Sequence, residues 1–199
     1  MIRISALSSA RRSLQAAALL GLAALTFAAA PVQAQRATGN KPQPAKTAAV
    51  GGQGQALLLE TAGKWQAFSS QQGRSKICYA LSKAESRSPA NLKDVEGLLF
   101  ISSRPGEGVR NEISLVMNFD LKEDVEHQAI IGAERFALVA KGQNVWLKNP
   151  AEEGRMLDAL RKGSGLEIKG TSKRGNPTSD KYSLAGISQI VKRAEEACK

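Results

Sequence analysis

Histidine occurs once and cysteine twice in 199 residues. That scarcity removes whole classes of chemistry. A zinc site needs several histidine, cysteine or carboxylate ligands converging on one point. A serine–histidine–acid hydrolase would have to use His127, and no GxSxG elbow accompanies it. His127, in KEDVEHQ, reads as a surface residue of a charged loop. No CxxC marks a redox thiol. No Walker sequence occurs, and no GxGxxG follows a strand. Aromatic residues make up 5% of the chain, too few to suggest base stacking, so nucleic acid is not an expected partner. Neither a metal nor a cofactor is expected.

The one long apolar run lies at the N-terminus. MIRISALSSARR carries three arginines and no acid, SLQAAALLGLAALTFAAA follows without charge, and PVQAQ supplies small residues. Basic, apolar, then small is the order of a secretory signal peptide, cut after Ala34. The rival is a retained anchor, since Ser13–Ala30 is 18 residues, at the lower limit for a span. Cleavage predicts a periplasmic or secreted protein with no stable transmembrane segment. Segment 35–56, QRATGNKPQPAKTAAVGGQGQA, has almost no apolar residue larger than alanine and reads as a flexible tether. The folded unit is then a single domain over 57–199.

Without residues 1–34, 25 basic residues face 18 acidic ones, leaving +7. A basic exported protein favours anionic surfaces: lipopolysaccharide, phospholipid head groups or acidic glycans. Solubility alone would also account for the charge. Export also brings the cysteines into an oxidising compartment, where an even number usually pairs. A Cys78–Cys198 disulfide is therefore expected, tying the chain's end to an early strand and holding the last helix against fraying.

Nine segments of five to eight residues alternate or run apolar between Gly, Pro, Asn or charged turns: 64–70, 76–82, 97–103, 112–118, 127–133, 135–141, 144–148, 165–172 and 180–186. Period two over so many short strands predicts a mainly β fold, an antiparallel sandwich or barrel of roughly eight to nine strands. KGQNV predicts a hairpin turn with Gly142 and Asn144 at positive φ. Two short helices interrupt the strands. NPAEEGRMLDALRKG starts with Asn149 as N-cap, Pro150 at N1 and Glu152 completing a capping box, and it ends at Gly163 as a left-handed stop. The second helix, about 187–197, puts Ile187, Ile190, Val191 and Ala194 on one face and should pack on the sheet.

Paired carboxylates could cleave a glycosidic bond. Glu123, Asp124, Glu126, Glu152 and Glu153 lie in solvated charged stretches or at a helix start. Two basic turns are better candidates for a ligand. TSKRGNPTSDKYSLAG carries Lys173, Arg174 and Lys181, with Asp180 able to accept backbone bonds as in an Asx turn. RPGEGVRNE sets Arg104 and Arg110 around two glycines. Both read as hairpin turns by default. As ligand loops they would grip a phosphate or carboxylate.

Several pieces in order resemble the invasion-associated locus B family of exported alphaproteobacterial proteins: W-x-A-F from Trp65, ICYALSK at 77–83, FISSRP at 100–105, NVWL, RKGSGLEIKGTSKRG at 161–175, and YSLAG with the final AC. The resemblance covers about residues 60–198. It implies a secreted, β-rich domain and, by the family's name, an association with host-cell invasion. It supplies no catalytic residues. Family members often carry further cysteines, whereas this chain has two. The resulting expectation is a non-enzymatic envelope protein that binds an anionic component or another envelope protein, with a role in invasion or envelope integrity. The alternative is a hydrolase or transferase acting on envelope glycans.

Overall fold

The computed structural model describes residues 55–199. The signal segment 1–34, and all of the 35–56 tether but its last two residues, lie outside them. The described chain forms one antiparallel sheet and two helices. The strands are β1 (Leu57–Ala62), β2 (Trp65–Gln72), β3 (Ser75–Lys83), β4 (Ser86–Ser88), β5 (Leu98–Arg104), β6 (Val109–Val116), β7 (His127–Ile131), β8 (Glu134–Lys141), β9 (Asn144–Leu147), β10 (Gly165–Thr171) and β11 (Pro177–Ser183). The helices are α1 (Glu153–Lys162) and α2 (Ile187–Ala197).

All nine segments with period-two patterning are strands. Two more bring the number to eleven. β1, LLLETA, opens on three leucines and does not alternate. β4, SRS, has no apolar residue. It is a strand because of what it continues. The sheet order is β1-β2-β3-β5-β6-β9-β8-β7-β10-β11-β4. Only Ala84 and Glu85 separate β4 from β3. Ala84 N–H donates to Gly97 O at 2.8 Å, and Glu85 N–H donates to Lys181 O at 2.8 Å. One bent strand thus leaves β5 and joins β11 within two residues. The ladder returns to a strand it already contains, so the sheet closes as a barrel with β1–β2 extending beyond the junction. Closure removes most of the exposed sheet edge.

The interior alternates as a closed sheet demands. Leu99, Ile101, Ile113, Leu115, Phe136 and Leu138 point inward and are almost completely buried. On the opposite face of β2 and β3, the Phe68 and Tyr79 rings stack with centroids 5.2 Å apart. Helix α2 buries the expected four residues, Ile187, Ile190, Val191 and Ala194, against β1, β2 and β3. Trp65, fully buried, donates its indole N–H to Ser183 O at 2.9 Å. The Cys78–Cys198 disulfide is present, with Cα atoms 5.8 Å apart, and fixes the end of α2 to β3.

Three local expectations change. Asn149 does accept a bond, from Ala151 N–H, but it opens a 3-10 turn, Pro150–Glu152, ahead of α1. Glu152 makes no capping bond and pairs instead with Arg155. Gly163 is extended rather than left-handed, with φ −79°. Its missing side chain serves packing: a Cβ there would lie 2.6 Å from Ile131 Cγ2. In the β8–β9 turn Gly142 alone has positive φ, 59°, at the first central position, so Asn144 stays in ordinary extended backbone.

Candidate functional site

Register separates the two basic turns. The β5–β6 turn, with Arg104 and Arg110, lies at one end of the barrel. Following the pairings Val116↔Asn144, Leu138↔His127, Gln128↔Lys169 and Thr171↔Pro177 leads to the β10–β11 turn at the other end. The candidate residues therefore do not form one site.

At the first end Arg104 is fully engaged, whereas Arg110 has no ion pair among the described residues. Arg104 donates to Glu107 at 2.8 Å and to Glu112 at 2.8 Å. The bond to Glu112, then the one to Glu107, raises the pKa of its guanidinium despite partial burial. Nearby Asn111 donates to Glu195 at 2.9 Å, and Arg161 reaches the same carboxylate at 3.0 Å. Arg110 is exposed beside a shallow hollow that also includes Cys198.

The other end holds a cleft of about 530 Å³, a size suited to a small ligand. Four segments meet there: 89–92 after β4, Phe119 and Asp120 after β6, Gln143 of the β8–β9 turn, and the β10–β11 turn with Lys173, Arg174 and Asn176. Main-chain bonds make the basic turn rigid. Gly175 N–H donates to Ser172 O, Ser172 N–H to Asn176 O, and Lys173 N–H to Asp120 O, all at 2.8–2.9 Å. The Asn176 N–H adds a bond to Ser172 Oγ at 3.1 Å. Lys173 Nζ lies 3.8 Å from Asp120, a loose exposed pair. Among the described residues Arg174 has no acidic partner, and the carboxamides of Asn91, Gln143 and Asn176 have no side-chain hydrogen bonds.

Below the cleft lies a buried polar cluster that sequence reasoning missed. Asp180 is not an exposed Asx-turn acceptor. It is a mid-strand residue of β11 pointing inward, fully buried, and it accepts from Arg87 of β4 at 2.7 Å. Arg87 also donates to Val95 O at 2.7 Å, and its guanidinium stacks 5.3 Å from the centre of Phe119, which lines the cleft. Burial raises the Asp180 carboxyl above its ordinary range, more than Arg87 lowers it. Burial, then the Asp180 charge, pushes the Tyr182 phenol up as well. Thr178 Oγ1, Asp180 Oδ1 and Tyr182 OH, successive inward groups of β11, have no hydrogen-bond partner among the described residues. Gly97 makes room for them: a Cβ there would meet Asp180 Oδ2 at 2.8 Å and Tyr182 OH at 3.0 Å. Alternation along PTSDKYS would have put Thr178, Asp180 and Tyr182 on one face, but it could not say that the face was the interior. Lys181, between them, points out and is exposed.

His127 also proves buried, as the first residue of β7, rather than a surface residue of a charged loop. Nδ1 accepts from Thr171 N–H at 3.3 Å, so Nε2–H donates to Lys122 O at 2.9 Å. Both ring nitrogens are used in joining β7, β10 and the loop before β7. No group of three or more His, Cys, Asp or Glu side chains among the described residues is arranged to hold a metal ion. No described helix is long and apolar enough to cross a membrane. Compared with known proteins, the chain matches no family model, no curated protein and no solved structure.

Proposed function

We propose that this chain is an exported envelope protein, periplasmic or secreted, that works by binding rather than catalysis. The cleft between the β10–β11 turn and segment 89–92 is its binding site, and its partner is anionic. One observation carries the reading. Arg174, on a turn held by main-chain bonds, and three carboxamides from separate segments line one cleft with no side-chain partners of their own among the described residues. The backbone that carries this cation is already ordered, so a ligand has only the Arg174 side chain left to order. The signal-peptide pattern supports a position outside the cytoplasm. The ordered motifs from Trp65 to Cys198 support membership of the invasion-associated locus B family, and with it a role at the cell envelope or in host-cell invasion.

Salt and one substitution test the proposal together. The exported protein should sediment with envelope fractions at low ionic strength and release as salt rises past the screening range. Arg174→Ala should weaken that association, and Arg104→Ala, at the opposite end, should not. Association that ignores both salt and Arg174 would overturn the assignment.

A further inference from the structure

The geometry points to an acidic glycan, a hydroxylated sugar chain bearing carboxylate groups, as the ligand of this cleft. The inference rests on the anion-binding reading and narrows it. A bare phosphate or carboxylate would be served by Lys173 and Arg174 alone. The cleft offers more. Asn91, Gln143 and Asn176 come from three separate segments and bring to it three carboxamides that have no side-chain hydrogen bonds among the described residues. Each carboxamide presents an acceptor oxygen and two donors in one plane. Sugar hydroxyls also donate and accept, so neighbouring hydroxyls match that pattern. A lipid tail or an apolar peptide would leave those amides unpaired, at a cost for each buried group.

The other walls fit the same ligand. Leu92, Phe119 and Pro89 give apolar surface for the carbon face of a sugar ring. Arg87 lies behind Phe119, with its guanidinium 5.3 Å from the ring centre, and so supports the ring from within. Among the described residues Asp120 is the only carboxylate lining the cleft, and Lys173 lies near it. The carboxylate of the glycan then belongs at Arg174, the lining cation without an acid beside it among the described residues. Lys173, already near Asp120, contributes less. The cleft is open rather than a closed cavity, as an extended chain passing through requires.

The test compares matched probes on the exported protein by calorimetry at low salt. Short oligogalacturonate is the acidic probe, and its fully methyl-esterified form is the neutral one. Inorganic phosphate and phosphatidylglycerol vesicles are the remaining arms. The acidic chain should bind at least about tenfold more tightly than its ester, the scale of one charge-assisted hydrogen bond. Arg174→Ala should abolish that difference. Asn176→Ala and Gln143→Ala should weaken the acid and the ester alike, which a purely electrostatic site would not show. Unchanged melting curves confirm that the variants fold. Equal binding of acid and ester overturns the inference. So does binding of phosphate or vesicles through Arg174 without binding of oligogalacturonate, although that result would leave the anion-binding function standing. Binding of none of the four probes would remove both.

Discussion

At the disulfide end of the barrel Arg104 sits between Glu107 and Glu112, and Asn111 and Arg161 share Glu195. At the cleft end Arg174 and three carboxamides have no such partners among the described residues. Both ends present basic hairpin turns of similar composition, and sequence reading treated them alike. Tertiary pairing separates Arg104 from Arg174. Charges answered within the chain hold structure together, whereas charges left unanswered on a rigid turn are available to something else.

The strongest way to break this contrast is to cut the covalent tie of the closed end. Replacing Cys78 and Cys198 with alanine releases a loop spanning 120 residues. It should cost about 4–5 kcal/mol by the chain-entropy estimate, read by urea unfolding. Ligand affinity at the cleft should change little while the protein remains folded. A large loss of affinity in the folded variant would show that the two ends are coupled.

The buried pair beneath the cleft comes next. Arg87→Met leaves Asp180 buried without its cation and should cost about 3–5 kcal/mol, whereas the double variant Arg87→Met with Asp180→Leu should recover much of that loss. The pair also shapes the pH response. Because burial raises the Asp180 carboxyl, the folded protein holds this proton to higher pH than the unfolded chain. Ionising Asp180 therefore subtracts stability between its ordinary and its raised value, and acidification through that interval restores it. Asp180→Asn should flatten this part of the stability profile, measured by denaturant titration across the acidic range.

Smaller effects sharpen the contrast. Gly163→Ala forces a methyl group against Ile131 and should cost about 1–3 kcal/mol, as overpacking does. Arg104→Ala should cost roughly 0.2–1 kcal/mol, the range of exposed pairs. Arg174→Ala should leave stability within about 0.5 kcal/mol while lowering ligand affinity. If the two arginine variants exchanged these behaviours, the division between the ends would be wrong.

Much of the fold was legible because local pattern and tertiary role agreed. EISLVMN alternates cleanly, and Ile113, Leu115 and Met117 all face the core. The α2 stripe emerged intact, as did the disulfide expected from the pairing of two cysteines. β4 was not legible. SRS has no apolar signal, and it is a strand only because β3 carries it into register with β11. Gly163 looked like a helix stop because glycine so often serves there, but here the nearness of Ile131 requires it. The cleft was half legible. Lys173 and Arg174 announced themselves as a basic turn, whereas Asn91, Gln143 and Phe119 carry no local mark and come together only through strand order.

The sequence by itself determined the alternation of the strands, the stripe of α2, the pairing of the only two cysteines and the presence of two basic turns. These follow from side-chain periodicity and composition, which act over a few residues or over the whole chain. Only the tertiary structure decided which face of PTSDKYS is the interior, that Arg87 would meet Asp180 across 93 positions, and that Arg104 would be paired and Arg174 left without an acid among the described residues. Those outcomes depend on barrel closure. Closure depends on register around the whole ring, and no short stretch of sequence carries it.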